Sequence, residues 1–196
     1  MSELPHLQEI FDRLRRGYHL SPEDEPAFSA VAANFEAYAA YFAPLGLTLV
    51  RHPREFFYFE TDAGESVTNV LARISVFSFI LIDHAANQGR PIEEYLLSQH
   101  FLVSKLPHFT LDRYAALLRQ MEVEEIAELR QILWNMERFG WLKFVGGDEE
   151  FRFLRPFHRV FDKCLELSAS GSSRGNEAPA SDAGSQSLLT SAATNE

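Results

Sequence analysis

The sequence predicts a mainly helical α+β chain with small β-hairpins and a low-complexity tail. Three observations predict it. Apolar residues recur at helical spacing over much of the chain. Twice, that spacing gives way to period-two alternation of β-branched and aromatic residues. After residue 167, large apolar residues almost vanish. The chain has 196 residues, 46% hydrophobic, with 17 Phe, which suffices for a packed core and one or two small domains.

The first elements are helical. Leu4, Leu7, Ile10, Phe11, Leu14 and Tyr18 share one face, with Glu9, Asp12, Arg13 and Arg16 between them, and Gly17 ends the run. Ser21-Pro22-Glu23-Asp24 reads as a helix start, with Ser21 as N-cap and Pro22 at the first position. Pro26 interrupts or restarts it. Phe28, Val31, Phe35, Tyr38 and Phe42 then mark one helix, stopped by Pro44 and Gly46. Leu47 to Arg51 and Phe56 to Glu60 read as strands around the turn His52-Pro53-Arg54-Glu55.

The same order then repeats. Val67 to Ala86 is apolar on nearly every face, as expected of a helix buried on more than one side. Ile92 to Ser98 and Thr110 to Gln120 read as short helices around a loop. Glu122 to Phe139 is a strong helix capped by Gly140. Trp141 to Val145 and Phe151 to Arg155 are strands joined by Gly146-Gly147-Asp148-Glu149, and Pro156 opens a closing helix to Leu167. Three helices closed by a two-stranded wing make the winged-helix architecture. The expected division is one such domain over 1–63, a second over 64–167, and a disordered tail over 168–196. That tail is rich in Ser, Ala, Gly, Asn and Thr and cannot offset its ordering entropy.

Composition narrows the function. A formal net charge of −10 repels phosphate, which disfavours strong free-standing DNA binding and suits membership of a larger complex. The single cysteine, Cys164, excludes an intrachain disulfide and a Cys-based zinc site, as in a reducing cytosol. Met1 to Pro5 has neither the basic nor the apolar stretch of a signal peptide. The apolar run Ile74 to Ile82 falls short of the roughly 20 residues of a membrane span. No Gly-rich phosphate loop is present, and no His pair has the i, i+4 spacing of a zinc helix. Asp83 and His84 are neighbours on a helix and point about 100° apart, so they do not form a triad on their own. The expectation is a non-enzyme with no cofactor and no metal.

Two blocks carry a family likeness. Leu14-Arg15-Arg16-Gly17-Tyr18-His19-Leu20, the Phe28–Phe42 helix, Leu49-Val50-Arg51-His52-Pro53 and Phe56-Phe57-Tyr58-Phe59 form the first. Arg138-Phe139-Gly140-Trp141-Leu142-Lys143-Phe144 with Phe151-Arg152-Phe153 form the second. Over roughly residues 7–160 the chain resembles the MukE/MksE subunits of bacterial condensins, the MksE branch most. The resemblance implies a non-catalytic tandem winged-helix subunit that dimerises and binds the kleisin. The kleisin in turn bridges an SMC ATPase. It further implies a cytoplasmic, nucleoid-associated protein with no membrane partner, serving chromosome condensation and segregation or plasmid defence. The rival reading is a winged-helix transcription regulator.

Two surfaces are candidate sites. Arg138, Lys143, Arg152, Arg155 and Arg159 gather in the second unit as possible DNA contacts. Lys143 and Arg152 are expected on the strand face opposite Phe144 and Phe153. The alternative is a solvated face neutralised by Glu137, Glu149 and Glu150. In the first hairpin, Phe56 and Tyr58 face one way and Phe57 and Phe59 the other, beside Arg51. One core needs only one face, so the other is a candidate protein interface, or else the place where the two units pack together.

Overall fold

A computed structural model describes residues 4–60 and 69–163. The tail expected over 168–196 and the boundary at 63/64 lie outside the described residues. In chain order the helices are α1 Leu7–Arg15, α2 Ala27–Ala33, α3 Phe35–Phe42, α4 Asn69–Asn87, α5 Ile92–Leu97, α6 Asp112–Gln120 and α7 Ile126–Arg138. The strands are β1 Thr48–His52, β2 Phe56–Glu60, β3 Phe101–Leu102, β4 Leu142–Phe144 and β5 Glu150–Phe153. A further helical segment occupies 157–163. The chain is therefore an α+β protein with small antiparallel sheets.

Two hydrophobic clusters form. The first joins Ile10 and Leu14 of α1, Leu20, Val31, Tyr38 and Phe42 to Leu49, Phe57 and Phe59 of the hairpin. The second is built on α4 and α7, with Phe151, Phe153 and Phe157 packed beneath them. Helix α4 is long and apolar enough to cross a membrane by length and composition. It lends Ile74, Phe77, Ile80 and Leu81 to the second cluster, where all four are buried, but Leu71 and Phe79 are exposed, so the burial on more than one side that the all-round apolar pattern led one to expect is not seen.

Four local expectations need correction. Ser21 does not cap a helix starting at Pro22. Its N–H donates to Asp24 Oδ2 at 2.9 Å, while the other oxygen of that carboxylate takes Arg13 at 2.8 Å and the Tyr18 hydroxyl at 2.7 Å. These bonds hold 21–24 as a turn, and the helix begins only at Ala27. The stripe Phe28 to Phe42 is not one helix but two. Asn34 breaks it with φ −131° and ψ 34°, and its carbonyl starts α3 by accepting the Ala37 N–H at 3.0 Å. Asn competes with helical backbone bonding, which makes it a natural break point.

Helix α7 starts at Ile126 rather than Glu122. Glu125 and Glu128 form a capping box, in which Glu128 accepts the Glu125 N–H at 2.8 Å. Those backbone donors hold the Glu128 carboxyl below its usual range. Finally, the loop after α5 contains β3, which pairs with β5 through Phe101↔Phe151. The second sheet is thus three-stranded, in the order β3-β5-β4.

The first half has a counterpart to β3. Leu20 bridges Phe57, each N–H donating to the other's carbonyl at 2.8 Å. So in each half, a segment preceding the last two helices hydrogen-bonds to the second strand of the following hairpin. The hairpin registers are Thr48↔Glu60 through His52↔Phe56 and Leu142↔Phe153 through Phe144↔Phe151.

Candidate functional site

The four aromatics of the first hairpin are covered by this chain itself. Phe57 and Phe59 belong to the first cluster, where Phe57 lies 5.2 Å from Phe28 and Phe59 lies 5.0 Å from Phe42 between ring centres. Arg51 caps that face. Its guanidinium donates to the Ala32 carbonyl at 2.9 Å and lies 4.7 Å from the Phe35 ring centre. Phe56 and Tyr58 point the other way, into a seam between the two clusters. Phe56 is fully buried and stacks on His52 at 4.1 Å, and Tyr58 stacks on His19 at 5.3 Å.

His19 is the centre of the seam. Its backbone N–H donates to the Phe139 carbonyl at 3.0 Å. Its Nδ1 lies 3.1 Å from that same carbonyl oxygen, and its Nε2 lies 3.0 Å from the Arg159 guanidinium. Guanidinium is only a donor, so Nε2 accepts, while Nδ1 faces both the Phe139 carbonyl and the Trp141 indole N–H, the latter at 3.2 Å. Burial, and then Arg159, lower the imidazole pKa to about 4. Trp141 closes the cluster, 5.6 Å from His19 between ring centres.

Gly140 makes this approach possible. It has φ 73°, and a Cβ there would stand 2.7 Å from the His19 carbonyl oxygen and 2.9 Å from Tyr18 Cζ. Helix α7 therefore ends in a glycine for two reasons. One is the left-handed turn, and the other is the space the 18–19 segment needs.

Polar contacts rim the seam. Arg54 reaches Glu93 at 2.5 Å, Asp162 at 3.8 Å and His158 Nε2 at 3.1 Å. Arg155 pairs with Glu55 and Arg152 with Glu23, the latter at 3.6 Å. Burial and the nearby Arg54 guanidinium lower the His158 pKa, and burial lowers that of His52.

The five basic residues of the second half therefore divide. Lys143 and Arg152 sit opposite each other in the β4–β5 register, on one face, as strand alternation predicts. Lys143 is exposed and, among the described residues, has no ion-pair partner, while Arg152 already has Glu23. Arg138 is exposed at the end of α7, with its guanidinium 5.6 Å from the Phe139 ring centre. Arg155 and Arg159 belong to the seam, the second lying 4.1 Å over Tyr58. The expected neutralising acids are engaged elsewhere. Glu137 accepts the Phe144 N–H at 3.0 Å, Glu149 pairs with Arg130 at 2.8 Å, and Glu150 meets His100 at 2.7 Å.

Sequence reasoning did not single out His19, Trp141 or Glu55. His19 and Trp141 lie within the two blocks that carry the family likeness, and all three stand beside turn glycines or prolines, which marks a bend but not what the bend touches. Asp83 and His84 are not brought to a common point. Asp83 accepts from Arg113 at 2.6 Å and from Tyr114 at 2.7 Å, while His84 meets Gln88 at 2.8 Å. Among the described residues no cluster of three His, Cys, Asp or Glu could hold a metal ion.

Comparison with known proteins places this geometry in a family. The family model of the condensin complex protein MksE matches residues 5–165. That stretch contains both clusters and the seam between them. No curated protein matches the chain. On the family match, which spans most of its length, the chain belongs to the MksE family of condensin complex proteins.

Proposed function

We propose that this chain is the non-catalytic kleisin-binding subunit of an MksBEF/MukBEF-like condensin, that it dimerises, and that it meets the SMC ATPase through the kleisin. The observation that carries this reading is the family match over residues 5–165. Supporting it is the order of elements repeated in each half. In this reading, 1–63 and 64–167 are tandem winged-helix domains, and Leu20 and β3 are the equivalent first strands of their wings. The protein works in the cytoplasm at the nucleoid, in chromosome condensation and segregation or in defence against plasmids.

DNA is met within the assembled complex by Arg138 and Lys143, while Arg152 is paired with Glu23. Arg155 and Arg159 hold the seam instead. The net charge of −10 makes a free-standing DNA-binding regulator the weaker reading. The test is co-expression with the kleisin encoded beside it, followed by sizing of the complex. A stable complex with two copies of this chain is expected. No complex, together with tight sequence-specific operator binding at physiological salt, would overturn the reading.

A further inference from the structure

A pocket of about 410 Å³ opens between the end of α4, α5 and the segment after β3. Its wall includes Arg90, Lys105, His84, His100, Gln88 and Tyr95. No carboxylate lines it, although the chain has 28 acidic residues and a net charge of −10. Glu150 is held by one of the lining residues, His100, whose Nδ1 lies 2.7 Å from its carboxylate. Arg90 and Lys105 are both exposed, and neither has an ion-pair partner among the described residues. Two cations without ion-pair partners lining one pocket of an acidic protein are a local well for an anion.

The volume distinguishes between anions. It falls in the range of roughly 300–1,000 Å³ typical of small-molecule sites, far more than a bare phosphate fills. The remaining wall is partly apolar, with Phe101, Leu102, Leu106 and Pro107. Arg90 lies 4.9 Å over the Tyr95 ring, and Tyr95 is itself braced edge-on by Phe101 at 5.4 Å. A guanidinium held over an aromatic ring is a surface on which a nucleobase stacks. Gln88 and His84, hydrogen-bonded to each other at 2.8 Å, offer donors and acceptors beside it.

We propose that this pocket binds a free mononucleotide, with phosphate at Lys105 and Arg90 and the base against the Arg90–Tyr95 pair. The kleisin-binding reading draws nothing from this pocket, so failure here would leave the proposed function untouched.

The experiment is calorimetric titration of the full chain with AMP, with inorganic phosphate and with a short oligoadenylate. AMP is expected to bind at least fivefold more tightly than phosphate. The double variant R90E/K105E is expected to lose at least tenfold in AMP affinity. Both positions are exposed, so the fold is expected to survive, and the milder R90Q/K105Q provides a second measurement with an intermediate loss. Absence of AMP binding at millimolar concentration would overturn the proposal. So would equal binding of AMP and phosphate, or affinity unchanged by both double variants. Oligoadenylate binding much tighter than AMP would also overturn it, because the occupant would then be a nucleic-acid strand.

Discussion

The Arg159 guanidinium stands 3.0 Å from His19 Nε2, so a permanent cation rests against a buried imidazole 140 residues earlier in the chain. The pair is tolerable only while His19 is neutral. A second ring proton would sit on Nε2, facing a group that has no acceptor.

An acid-sensitive seam follows. His19 has its pKa lowered to about 4 in the folded chain, against an ordinary value of 6.5. The unfolded chain thus binds the extra proton first. The stability from neutral His19 is fully present above pH 6.5 and is lost as pH falls toward 4. The scale of that loss is about 3 kcal/mol. His108, lowered to about 3 by burial, adds to the same decline. Urea unfolding at pH 7.5 and pH 5 is expected to show the fall, and His19→Gln is expected to reduce it. A variant with the wild-type pH slope would remove His19 from this account.

Gly140 and Gly46 share a left-handed backbone, with φ 73° and 74°, but differ in surroundings. Nothing lies within 4 Å of a Cβ at Gly46, whereas one at Gly140 meets the His19 carbonyl at 2.7 Å. Gly46→Ala is expected to cost about 1 kcal/mol from backbone strain alone. Gly140→Ala is expected to cost about 3 kcal/mol, because the 18–19 segment must also move. Denaturant midpoints measure both, and equal losses would contradict the close approach.

Phe56 is fully buried while Tyr41 is 51% exposed. Phe56→Ala is expected to destabilise by roughly 3–5 kcal/mol, as for a large core aromatic. Tyr41→Ala is expected to change stability by less than about 0.5 kcal/mol. A small loss at Phe56 would mean that the seam contributes little to stability.

The basic face of β4–β5 makes a separate prediction. In the assembled complex, Lys143→Glu with Arg138→Glu is expected to weaken duplex binding alike across sequences. The salt dependence should also fall, by about one unit of log–log slope per lost phosphate contact. Arg155→Glu is expected to leave DNA affinity unchanged, since Arg155 is engaged by Glu55. Fluorescence anisotropy at two salt concentrations reads both.

Periodicity made much of this fold legible. It located α1, α4, α6, α7 and both hairpins, and strand alternation put Lys143 and Arg152 on one face. It failed where a side chain outcompeted the local pattern. Asp24, recruited by Arg13 and Tyr18, holds a turn where the sequence reads as a helix start. Asn34 divides a helix whose apolar stripe looks continuous. The two-residue strand β3 was too short to leave any alternation at all.

The first hairpin divides what each level could decide. That Phe56 and Tyr58 face away from Phe57 and Phe59 was determined by the sequence alone, because successive strand residues alternate sides whatever surrounds them. What covers the second face was left to the tertiary structure. His19, Trp141 and Arg159 reach it from positions far apart in the chain, and no local pattern encodes such a meeting. Local periodicity records which face of an element must be buried. Only the folded chain, through the space left by Gly140, decides what does the burying.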